Sequence, residues 1–143
     1  MQVLLVVFGS LLLCRVLGAA AVPWLTWEHS ARVALATMFF FTAVSHFAPM
    51  KADLIAMVPP ALPRPDLLVL MTGIAELAGA VGLLIPPLRS WAAWGLVLLL
   101  VAMLPANISA ARRGVLLRGR RPTPLWARVP MQVLFIAWAW AVR

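Results

Sequence analysis

The sequence predicts an all-α, polytopic membrane bundle of five transmembrane helices, and three observations predict it. The 143-residue chain is 64% hydrophobic and has a mean hydropathy of +1.01, more apolar than a soluble domain of this size can hide in a core. Charged residues make up only 11% of it. They gather between apolar stretches close to the ~20 residues that cross a ~30 Å hydrocarbon core. Neither alternating strand patterns nor the ~10-residue alternating segments of an outer-membrane barrel occur, so the spans are helices with internally satisfied backbones.

The spans are expected at Gln2 to Val22, Ser30 to Phe47, Leu67 to Ile85, Trp91 to Ser109 and Leu125 to Val142. Residues 1–29 form an amino-terminal helix and connector; residues 30–143 form a four-helix membrane domain. The first span, followed by Gly18-Ala19-Ala20-Ala21, also resembles a secretory signal with a small-residue cleavage region. No Lys or Arg precedes its apolar run and Arg15 interrupts it, so a retained anchor is the expectation. Cys14, the single cysteine, permits neither an internal disulfide nor a C-x-x-C pair.

The connector after the second span opens with Met50 to Met57, which mixes Lys51 and Asp53 with apolar residues and suggests a turn or two of interfacial helix. A plain polar connector is the alternative. The prolines of Val58-Pro59-Pro60-Ala61-Leu62-Pro63-Arg64-Pro65 forbid a continuous helix and predict a stiff extended segment. In the third span Gly73, Gly79 and Gly82 lie at spacings that let a neighbouring backbone approach closely, so this helix is expected at the centre of the bundle.

The formal charge of +8 is not accompanied by an extended soluble basic surface, so it is read as topology and lipid contact rather than nucleic-acid binding. Five spans put Lys51, Arg64, Arg112, Arg113, Arg118, Arg120, Arg121 and Arg128 on one side and Arg32, Arg89 and Arg143 on the other. The positive-inside bias then predicts an inner amino terminus and an outer carboxyl terminus, with a bacterial cytoplasmic membrane as the expected location. Arg112, Arg113, Arg118, Arg120 and Arg121 are the candidate headgroup contacts.

The bilayer makes a few polar residues conspicuous. Glu76 lies ~15 Å along its helix from Asp66, near the midplane, where an ionised carboxylate facing lipid would cost several kcal/mol. It is expected to be protonated, paired, or turned to a wet interior, either as a functional group or as a latch between helices. His46, Asn107, Arg128 and Gln132 come from distant parts of the chain, yet the topology brings them to the same interface, and Arg128 and Gln132 share a helix face at i, i+4. One polar pocket of His46, Glu76, Asn107, Arg128 and Gln132 stands against separate structural roles: a helix end for His46, snorkelling for Arg128, and backbone groups freed by Pro105 for Asn107. His29 and His46 fall ~25 Å apart on one helix and cannot share a metal or haem. Neither a hydrolase constellation nor a phosphate-binding loop is present, which disfavours an autonomous enzyme.

Taken in order, Ser45-His46-Phe47, the Val58 to Pro63 connector, Gly73-Ile74-Ala75-Glu76-Leu77-Ala78-Gly79, Pro105-Ala106-Asn107-Ile108 and Arg128-Val129-Pro130-Met131-Gln132 resemble the DoxX-like family of small membrane proteins. The likeness spans Arg32 to Val142. It implies a compact four-helix membrane core. It also implies an accessory subunit of a membrane redox system or a binder of a quinone-like lipid, with quinone as the one cofactor suggested. Membrane-protein assembly, lipid handling and small-molecule transport stay open beside it. The expected partners are membrane lipids and a further membrane protein.

Overall fold

The computed structural model describes residues 2–20, 26–47, 50–116, 119 and 123–143. These residues form six α-helices: α1 (Gln2–Ala20), α2 (Trp27–Phe47), α3 (Lys51–Met57), α4 (Pro65–Leu84), α5 (Arg89–Arg113) and α6 (Leu125–Ala141). A short 3-10 turn, Pro86–Leu88, joins α4 to α5. No strand occurs among the described residues. Among the described residues, three stretches are long and apolar enough to cross a membrane: Trp27–Phe47, Pro65–Leu84 and Pro86–Arg113. Val22, the expected end of the first span, lies outside the described residues.

Helix ends follow local chemistry. Pro65 opens α4, where its missing N–H would have had no helical partner. Gly114 closes α5 in the left-handed region, at φ 64°, which an L side chain rarely adopts. α5 runs past Ser109 through Arg112 and Arg113 because nothing before Gly114 stops it, and basic residues in a last turn suit the helix dipole. The connector before α4 departs from the extended segment predicted for it. Leu62 N–H donates to Pro59 O at 3.0 Å, and Pro60, with φ fixed by its ring, suits the second position of that turn.

The helices pack in a ring. α2 lies between α1 and α4, α4 against α5, and α5 against α6, while α3 sits across α2, α4 and α5. Phe8 of α1 and Trp138 of α6 close the ring, with centroids 6.1 Å apart. Leu35, Phe39, Leu83 and Leu96 are fully buried at its centre. Outward-facing Leu12, Met71, Leu98, Trp91 and Trp126 are exposed, an apolar exterior of the kind a soluble monomer avoids.

Two glycines of α4 set how closely its neighbours approach. A Cβ at Gly73 would stand 2.5 Å from His46 Cβ, and one at Gly82 would stand 2.7 Å from Ala92 Cβ. Both distances are far inside van der Waals contact. Gly73 thus admits α2 and Gly82 admits α5, and the first of these contacts seats His46 beside the middle of α4.

Candidate functional site

Glu76 projects from the middle of α4 and is 4% exposed, as is His46 at the end of α2. His46 Nδ1 lies 2.8 Å from Val69 O, one turn into α4, and 3.2 Å from Thr72 Oγ1. On the other side of the ring, Nε2 stands 3.6 Å from Glu76 Oε2. That separation is an electrostatic approach rather than a hydrogen bond. Glu76 Oε2 has no hydrogen-bond partner among the described residues.

The second polar group joins α5 to α6. Arg128 Nη1 donates to Asn107 Oδ1 at 3.2 Å, and Asn107 Nδ2 donates to Gln132 Oε1 at 3.4 Å. Gln132 Nε2 donates in turn to Leu100 O. Pro105 leaves the carbonyl four residues earlier without its helical donor, yet Asn107 does not turn back to it. Its amide spans to α6, and Gln132 reaches the α5 backbone beside that break. Gln132 is 6% exposed and Arg128 9%. Such burial of polar groups is tolerated only where hydrogen bonds replace water.

A cavity of about 270 Å³ separates these groups. Glu76, Asn107, Arg128 and Gln132 all line it, with Thr42 beside Glu76 and Thr123 at the start of α6. Its apolar wall includes Phe39, Phe135 and the methionines Met38, Met57, Met103 and Met131. Thioethers adapt to irregular shapes and make favourable contacts with aromatic rings. A compartment of this kind, mostly apolar with a few convergent polar groups, is the usual build of a small-molecule site.

Four of the sequence-predicted pocket residues therefore face one space, while His46 stands behind Glu76 rather than in the wall. Gly73 and Gly82 contact neighbouring helices, and a Cβ at Gly79 would overlap the Leu96 side chain. Arg112 is exposed. Arg113, grouped by sequence with the headgroup contacts, is exposed as well and also bridges two elements. Its Nη2 donates to the carbonyls of Ala56, Met57 and Val58 at 2.8 to 2.9 Å, and its Nε to Ser109 Oγ at 3.0 Å. These carbonyls end α3, so one guanidinium caps that helix and holds it against α5. Arg118, Arg120 and Arg121 lie outside the described residues.

Sequence reasoning missed Thr42, Thr72 and the methionines. Thr72 stands four residues before Glu76, on the same helix face, and that spacing was the available signal. No group of three or more His, Cys, Asp or Glu able to hold a metal ion exists among the described residues.

Residues 35–143 match the model of a family described as a domain of unknown function, DUF8561. No curated protein and no solved structure matches the chain.

Proposed function

From a chain that belongs to the DUF8561 family, a description that names no activity, we propose an integral membrane protein that binds a quinone-like lipid within its helix bundle. In this reading α1 and α6 cross the bilayer with α2, α4 and α5, giving five spans. At 1.5 Å per residue a 17-residue α6 covers ~25 Å, and a slightly thinned bilayer accommodates that length. The basic ends at Arg64, Arg112 and Arg128 are then cytoplasmic, the amino terminus inside and the carboxyl terminus outside. A bacterial cytoplasmic membrane is the proposed location.

The observation that carries the reading is the cavity of about 270 Å³, with its apolar methionine and phenylalanine wall and its polar groups at Glu76 and at Arg128. An amphipathic ring with a hydrocarbon tail suits both surfaces. The ordered motifs that resemble the DoxX-like family support the same choice of ligand. Native mass spectrometry of gently purified protein, with lipid and quinone identification, tests it. A quinone-class molecule retained by wild type and lost in Glu76→Gln is the expected result; wild type free of any such molecule, and unable to take one up in a titration, overturns the proposal.

A second observation favours an accessory role beside ligand binding. A groove of about 360 Å³ on the outer side of α4 and α5 has a floor of small residues, Ala75, Ala78, Gly79, Gly82, Ala92 and Gly95, flanked by Leu88, Trp91 and Leu96. Small residues of this kind let another membrane helix pack closely. A Cβ at Gly95 meets nothing within 4 Å, so Gly95→Leu fills the groove without disturbing the bundle. A membrane partner lost in that variant, with folding unchanged, is the expected outcome; a partner retained at wild-type level removes the groove from the account.

A further inference from the structure

Resting on the reading of the cavity as a ligand site, we infer that it is entered from one end of the bundle only, and that α3 is the lid over that entrance, held shut by Arg113.

The opposite end is sealed helix by helix. On α2 the cavity lining runs from Thr42 back to Met38, and one turn further Ala34 and Leu35 are fully buried. On α4 the lining residue is Glu76, and the buried Ala80 and Leu83 follow one and two turns beyond it. The same succession holds on α5, where Leu100 gives way to Leu96 and Ala93, and on α6, where Phe135 gives way to Ala139 and Val142. On α1 the lining residue Val3 is followed by the fully buried Val7. In each helix these steps lead toward the same end of the bundle, and the residues reached belong to one apolar core. A packed core holds few voids larger than a water molecule. The hollow ends where that core begins.

At the other end α3 supplies a cover. Leu54 and Met57 line the cavity, while Lys51, Ala52 and Ala56 are exposed. A helix of 7 residues is too short to hold together alone in water, so its neighbours fix its place. It packs across α2, α4 and α5, and no comparable packing joins it to α6 among the described residues. On the α5 side the fixing is polar. Carbonyls at a helix end lack helical donors, and Arg113 Nη2 serves those of Ala56, Met57 and Val58 together. Ser109 Oγ, one turn back on α5, accepts from Nε and steadies the guanidinium. Release of this one side chain frees α3 to swing from α5 as a local opening, and Leu54 and Met57 then uncover the space behind them.

The test uses the full chain in lipid nanodiscs, with Cys14→Ala removing the native thiol and either Met103→Cys, in the cavity, or Leu83→Cys, in the sealed core. The probe is an anionic methanethiosulfonate that does not cross lipid, and losing a positive charge does not speed its approach. Met103→Cys is expected to react and Leu83→Cys to stay unreactive. Adding Arg113→Ala should raise the Met103→Cys rate about fivefold or more, as the open population grows, and leave Leu83→Cys unreactive. Ser109→Ala, which loosens the guanidinium without removing it, should give a smaller rise and serves if Arg113→Ala does not fold. A Met103→Cys rate unmoved by loosening Arg113 in folded protein overturns the lid, as does a parallel rise at both positions. Equal reactivity of the two cysteines before Arg113 is altered overturns entry from one end. These readouts need no ligand. Failure of decylubiquinone to protect Met103→Cys would count against the quinone-like reading alone.

Discussion

At the end of the bundle where α2 begins and α6 finishes, Arg15, Arg32 and Arg143 are met by nearby groups, while Arg89 Nε and Ser30 Oγ are buried without a hydrogen-bond partner among the described residues. Arg32 donates to Val142 O at 3.0 Å and to Glu28 at 3.2 Å, Arg15 lies over the Trp27 ring, and Arg143 lies near the rings of Trp94 and Trp140. Toward the opposite end, His46, Glu76, Arg128 and Gln132 are buried more deeply, and they flank a hollow instead of filling it. Surface arginines stacked on tryptophan are inexpensive to keep. Buried polar groups at a void are not, and replacing them with packed hydrophobic side chains would often stabilise a bundle. The proposed ligand site would give the second arrangement a purpose other than stability.

Variants that act on the two ends differently sharpen this contrast. The largest effect is expected from Gly73→Leu, because the added carbons collide with His46 Cβ near the α2 backbone. Overpacking of this kind costs ~1 to 3 kcal/mol. Melting in detergent should fall steeply, and ligand retention should fail with it as His46 is forced off Val69. Arg113→Ala is expected to cost ~1 kcal/mol, since its bonds to three carbonyls are charge-assisted but partly exposed. Hydrogen exchange should show Lys51–Met57 losing protection while α4 and α5 keep theirs; uniform loss across the bundle would mean that α3 is not separately held.

Gln132→Leu removes bonds between α5 and α6, which in membrane bundles are worth ~0.6 kcal/mol on average. Its melting should barely shift while ligand retention drops at least several-fold, and a stability loss without a binding loss would make the chain of amides purely structural. Arg32→Gln, at the other end, should cost no more than ~1 kcal/mol and leave ligand binding at wild-type level. A binding defect there would erase the distinction between the ends.

The polar site was legible in part because charge is costly in an apolar run. Glu76 is conspicuous among Gly73-Ile74-Ala75 and Leu77-Ala78-Gly79, and Arg128 with Gln132 is conspicuous by its helical spacing. Threonine and methionine are ordinary inside apolar helices, so Thr42, Thr72 and the four cavity methionines carried no such signal. The bond from His46 to Val69 joins residues 23 apart in sequence, and only the close approach permitted by Gly73 creates it. The same holds for Arg113, whose carbonyl partners lie more than fifty residues away. Hydropathy reads which segments avoid water, and it located the helices well. It is blind to a guanidinium that caps another helix, and to a turn set by Pro60 within a segment that composition describes only as non-helical.

The most direct test of a ligand in this cavity is photoaffinity labelling of the nanodisc-embedded chain with an azido-quinone, followed by peptide mapping. The account predicts adducts concentrated on Met103, Met131 and Phe135 and displaced by excess unlabelled quinone. Adducts spread over outward residues such as Leu98, Trp91 and Trp126, undiminished by competitor, would contradict it.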